Sequence, residues 1–98
     1  MEKKKNEKTY VYVIHCEDSD YYKIGVSRRP SYRLLELQPG CPYSLSIVYQ
    51  LLCVSRKAAF KLENALHKLY WDKRHWNEWF LLGKEEVQHI INLLSIKS

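Results

Sequence analysis

Residues 9–26 read TYVYVIHCEDSDYYKIGV, and this stretch decides the fold. From Thr9 to Ile14, Val and Tyr alternate, and β-branched and aromatic residues suit a pleated, half-buried surface. Glu17-Asp18-Ser19-Asp20 is a polar turn, and Tyr21 to Val26 is a second strand. So short a connection makes the pair an antiparallel hairpin. Side chains alternate across a sheet, so Tyr10, Tyr12 and Ile14 share one face of the first strand. Tyr21, Lys23 and Gly25 share one face of the second. Tyr12 and Lys23 are placed on the same side, because the opposite register buries the Lys23 amine without a partner.

Further along, Pro30 suits the first position of a helix, which runs over Ser31 to Gln38 and stops at Pro39-Gly40. Residues 39–43 form a loop. Leu45 to Cys53 is a third strand, expected at the centre of the sheet from its length and apolar content. Ser55 is a good N-cap for a helix reaching Tyr70 or Trp71. Ala58, Ala59, Leu62, Leu66 and Leu69 make its core-facing stripe, and Glu63 and His67, four apart, are neighbours on one flank. Glu78 to Leu82 is an apolar edge strand broken by Gly83. Lys84 to Ile96 is a last amphipathic helix, with Val87, Ile90, Ile91 and Leu94 inward and Glu85 and Glu86 in its first turn, where the helix dipole favours acid. The order β-β-α-β-α-(β)-α predicts an α/β or α+β fold: a small antiparallel three-stranded sheet flanked by helices.

With 98 residues, the chain is long enough for one core, expected over residues 9–98 behind a disordered basic tail at 1–8. The formal net charge of +5 favours a polyanionic partner through counterion release. Eight Tyr and three Trp among the Lys and Arg suit stacking on unpaired bases, although most such rings serve cores and rims. Trp79 and Phe80 read as core. Cys16, Cys41 and Cys53 are odd in number and lack a CxxC pair, which fits free thiols in a reducing, intracellular compartment: cytoplasm, or nucleus in a eukaryotic host. The ligand spacings of a zinc site around His15 and Cys16 are missing. No secretory signal or membrane-spanning run is visible.

Tyr12, Lys23, Arg33 and Glu63 supply a phenol, an ammonium, a guanidinium and a carboxylate. These groups can grip a phosphodiester and one divalent metal. Arg28 and Arg29 lie beside the same face and are expected to meet phosphates. His67 is a candidate site residue, with a structural hydrogen bond near Tyr12 as its other reading. A phenol titrates near pH ~10, so a nearby cation, Lys23 or Arg33, is expected to lower Tyr12 towards neutrality.

The order and placement of these residues resemble the GIY-YIG nuclease superfamily, over roughly residues 9–82. Tyr10-Val11-Tyr12 stands in the GIY position and Tyr22-Lys23-Ile24-Gly25 in the YIG position. Arg33 follows at the family's spacing, and Glu63 lies on the metal-binding helix within Leu62-Glu63-Asn64-Ala65-Leu66-His67. The small branch with KIG in place of YIG and a Glu-Trp-Phe segment, common in phages, large viruses and some fungi, is the nearest match. Tyr10 replaces the first glycine of GIY, and Lys23 replaces the YIG tyrosine, turning a phenol into a cation.

The resemblance implies a metal-dependent endonuclease that nicks one DNA strand. Tyr12 would be the general base and Arg33 the phosphate clamp, while Glu63 would hold one Mg²⁺ or Mn²⁺. Lys23 and His67 complete the catalytic set, and Lys23, Arg28 and Arg29 the nucleic-acid contacts. DNA is the expected partner; the chemistry itself does not separate DNA from RNA. A domain this small has little surface for sequence readout, so targeting through a homodimer or a protein partner is expected. The competing classes are a catalytically silent nucleic-acid- or protein-binding module on the same fold, and a binder of acidic proteins.

Overall fold

A computed structural model describes residues 8–97. The tail expected at 1–8 lies, except for Lys8, outside the described residues. Five strands and three helices follow in order: β1 (Thr9–Cys16), β2 (Tyr21–Ser27), α1 (Pro30–Leu37), β3 (Leu45–Cys53), α2 (Arg56–Leu69), β4 (Arg74–Trp76), β5 (Trp79–Leu81) and α3 (Lys84–Lys97). The strands form one antiparallel sheet in the order β3-β1-β2-β5-β4. The fold is α+β, and two parts of the expected sheet are corrected. It has five strands rather than three, because Trp79–Leu81 pairs with β2 and Arg74–Trp76 pairs with β5. β4 has three residues, all exposed, so it carries none of the apolar alternation that marks a strand in sequence. The second correction concerns β3, which is an edge strand. Its Val48, Gln50 and Leu52 are exposed, and a bulge interrupts its register opposite Val13 and Ile14. The centre belongs to β1 and β2.

Within the hairpin, Tyr12 pairs with Gly25 and Ile14 with Lys23, so Tyr12 and Lys23 do share a face. Asp18 takes a positive φ of 66° in the turn, a conformation Asp tolerates better than most residues. The alternate residues Val11, Val13, Ile24, Leu51 and Phe80 form the main core with α2 and α3. Tyr12, Ile14, Cys16 and Leu45 form a smaller core on the other face, against Leu34 and Leu37 of α1.

Helix ends follow the sequence signals. Pro30 starts α1, and the Ser55 hydroxyl accepts a hydrogen bond from the Ala58 amide at 3.1 Å. The inward stripe of α2 differs from expectation at its end. Leu69 is exposed, while Ala59, Glu63, Leu66 and Tyr70 point inward. Tyr70 then reaches α3 through a 2.6 Å hydrogen bond to His89 Nδ1. The stripe therefore carries a carboxylate into a row otherwise apolar.

Candidate active site at a notch in the sheet

The β2–β5 pairing runs only from Tyr21 to Lys23, and the Ile24 amide donates to the Glu78 carbonyl at 3.1 Å just beyond it. From Gly25 onward, β5 no longer flanks β2. Here groups from both faces of the sheet meet. Tyr12, with 1% exposure, crosses directly over Gly25. A Cβ at Gly25 would overlap the Tyr12 hydroxyl, lying 2.6 Å from its Cζ and 3.1 Å from Glu78 Oε1. Glycine is needed here for close approach rather than for an unusual φ.

Beside the notch opens a cavity of about 540 Å³, whose lining includes Lys23, Arg33, Glu63, His67, Arg74 and Glu78. The Lys23 ammonium donates to Glu78 Oε1 at 2.7 Å and sits 5.9 Å from the Trp79 ring centre. Glu63 is 5% exposed. Its carboxyl is pushed up to about 7, first by burial and then by the charge and hydrogen bonding of Glu78, with Lys23 pulling the other way. Arg33 projects from α1 beside the Tyr12 phenol and forms a 3.2 Å ion pair with Glu36. The structure thus brings Tyr12, Lys23, Arg33, Glu63 and His67 to one place.

His67 Nε2 lies 2.9 Å from the Ile24 carbonyl and 4.0 Å from Glu63 Oε2. A carbonyl only accepts, so this nitrogen carries a proton and ties α2 to β2. Arg28 and Arg29 line an adjoining depression of about 430 Å³, and Arg33 borders both hollows. Arg29 also stacks over Tyr32, its guanidinium carbon 5.2 Å from the ring centre. Phe80 is fully buried in the main core, and Trp79 packs against the smaller one.

One electrostatic expectation is overturned. The Tyr12 phenol is raised to about 12, not lowered. Burial is the largest cause, and the charges of Glu78 and Glu63 add to it; Arg33 opposes them without prevailing. Lys23 is engaged with the two acids instead.

Glu78, which lines the same cavity, is not singled out by the sequence, where it opens an apolar strand; an acid ahead of the run Trp79-Phe80-Leu81 is the signal that marks it.

The donor set suits a hard divalent cation. Glu63 and Glu78 offer carboxylate oxygens, the ligand type preferred by Mg²⁺ and Mn²⁺. Among the described residues, no group of three or more His, Cys, Asp and Glu side chains is arranged to hold a metal, so water and phosphate oxygens would complete any shell. Also among the described residues, no helix is long and apolar enough to cross a membrane.

No curated protein and no solved structure gave a significant match to the chain. A family model does match, over residues 9–95, which spans both cores and the notch. The chain belongs to the T5orf172 domain family, a nuclease-like family.

Proposed function

We propose that this chain is a GIY-YIG-type endonuclease that makes single-strand nicks in DNA with one bound Mg²⁺ or Mn²⁺. The observation that carries this reading is that Arg33 and Glu63, from two different helices, line one open cavity, with the buried Tyr12 phenol of β1 beside the Arg33 guanidinium. Phosphodiester hydrolysis needs a proton acceptor for water, a clamp on the non-bridging oxygens and charge compensation at the leaving oxygen. Arg33 supplies the clamp: its guanidinium fork matches two phosphate oxygens and can exchange its exposed contact with Glu36 for them. Arg28 and Arg29 continue the positive track along the adjoining depression.

Tyr12 is the proton acceptor, pointed by Gly25 into the notch. With the phenol near 12, its ionised fraction grows tenfold with each pH unit through the neutral and alkaline range. Nicking should therefore accelerate with pH without a plateau near neutrality. Glu63 would hold the cation, which when bound would supply charge stabilisation to the leaving oxygen. DNA is the natural substrate for a basic domain of this family. The same grip without cleavage is the competing reading.

Conversion of supercoiled plasmid to open circle, with Mg²⁺ or Mn²⁺, separates the two. The wild-type chain should nick. Tyr12→Phe, Arg33→Ala and Glu63→Gln should keep native circular dichroism and lose at least a hundredfold in rate. A wild-type chain that retards DNA on a gel yet never cuts it with any divalent ion establishes the binding module instead.

A further inference from the structure

We infer that Glu78 is a second carboxylate arm of the cation site, and that Lys23 is a resident internal cation which an arriving divalent ion displaces from Glu78. The inference deepens the endonuclease reading and rests on it for the identity of the site.

The reasoning starts from Glu63. It is buried to 95% yet lines an open polar cavity. A second acid, Glu78, lines the same cavity. Two carboxylates facing one cavity repel each other unless a cation lies close to both. The nearest nitrogen of His67, 4.0 Å away, already donates to the Ile24 carbonyl. Arg33 faces Tyr12 and Glu36. Lys23 is the cation beside them: its amine is 2.7 Å from Glu78 Oε1, it lines the same cavity as Glu63, and its side chain is only 7% exposed.

Placement supports this role. Lys23 and Trp79 pair directly across β2 and β5, and Glu78 immediately precedes Trp79. The same short ladder thus positions both the amine and its carboxylate partner. The Glu78 side chain is 41% exposed, so one of its oxygens can turn to solvent or to an ion without unpacking the core. Two carboxylates and one amine leave an excess negative charge when all are ionised, which a divalent ion and a phosphate would balance. An amine released from Glu78 would stand in the same cavity as Arg33, where a phosphate is expected.

The test is a titration of the full chain with Mn²⁺ alone, read by loss of the free-ion electron paramagnetic resonance signal. Wild type should bind one ion. Glu63→Gln and Glu78→Gln should each weaken binding about tenfold or more. Lys23→Met should tighten it several-fold in the wild-type background and leave it unchanged in the Glu78→Gln background, a double-mutant cycle that isolates the exchange. Glu78→Asp, which keeps the charge, should recover part of the affinity, and thermal melts should show every variant folded. Wild-type affinity in Glu78→Gln overturns the inference, as does equal tightening by Lys23→Met in both backgrounds or the absence of Mn²⁺ binding at millimolar ion. Plasmid nicking run in parallel keeps the two readings apart. Nicking by wild type with an unaltered Glu78→Gln titration sinks the carboxylate pair alone. The full titration pattern without nicking sinks the endonuclease alone.

Discussion

The two faces of the central hairpin are built from the same two strands, Thr9–Cys16 and Tyr21–Ser27, and do opposite work. On one face Val11, Val13 and Ile24 meet Phe80, Leu66 and Ile90 in a dry core under α2 and α3. On the other, Tyr12, Lys23 and Gly25 sit one residue away along the same strands, and Lys23 lines the polar cavity. The period of two in a strand makes this separation possible, since a change at one position can act on packing while its neighbour acts on chemistry. Strands locked by the dry core on their far side thus hold the site in place, in addition to its own Lys23–Glu78 and His67–Ile24 contacts.

The sharpest way to break this division is at Gly25, where both functions meet. Gly25→Ala places a methyl where the Tyr12 ring now lies. The buried Tyr12 phenol, with the Glu78 carboxylate beside it, leaves little room to yield. Nicking should fall a hundredfold or more, since a displacement of about 1 Å is enough for that. Overpacking should also lower stability by about 1–3 kcal/mol, measured by urea unfolding. Full activity in Gly25→Ala would show that Tyr12 need not occupy the notch.

The complementary change is one residue away. Ile24 is completely buried in the main core. Ile24→Ala should cost about 3 kcal/mol in urea unfolding, yet nicking per folded molecule should stay within a few-fold of wild type. A large catalytic loss in protein shown to be folded would mean that the two faces are not separable.

Much of this division was legible in the sequence. Alternation left the hairpin register open, and the cost of burying an amine among apolar residues without a partner selects the register that puts Tyr12 and Lys23 together. Helical spacing placed Glu63 beside His67. What alternation could not provide was the partner for Lys23: Glu78 lies 55 positions away and meets it only through the β2–β5 ladder. The same non-local pairing hid β4, whose three exposed residues gain their shape from β5. The edge position of β3 was missed for a related reason. Its length and apolar content point to the centre of the sheet, whereas Val48 and Leu52 are exposed. The balance of burial against the Arg33 charge at Tyr12 was also out of reach, because it depends on how completely the ring is covered rather than on which cation is near.

Glu63 sharpens the comparison through pH. It occupies an inward position of α2, as an apolar residue would, but carries an acid whose folded-state value is raised to about 7 from an ordinary 4.5. The folded state therefore holds this proton more tightly than the unfolded chain. Its contribution to stability is fully present below pH 4.5 and is lost as pH rises through about 7. At pH 8 the ionised, buried carboxylate is a penalty of about 2–3 kcal/mol. Glu63→Gln should consequently be more stable than wild type at pH 8 by that order, with the difference fading towards pH 4.5. Equal stability of the two chains across this range would show that water or a cation already solvates the carboxylate, placing the notch electrostatically outside the core.

His67 offers the smallest and most discriminating test, because it touches both regions. Its ring packs edge-on against Phe80, with centres 5.0 Å apart, on the dry side, while Nε2 holds the Ile24 carbonyl beside the site. If this tie is structural, His67→Ala should lower stability by about 1–2 kcal/mol through the unsatisfied carbonyl and the lost ring contact. Nicking should then fall only a few-fold, with an unchanged pH profile. A catalytic histidine behaves otherwise: a folded His67→Ala chain would lose a hundredfold or more, and its pH–rate profile would change shape. The carbonyl contact commits Nε2 to donating, so a catalytic role would have to run through Nδ1, the one nitrogen of the neutral ring left to accept a proton.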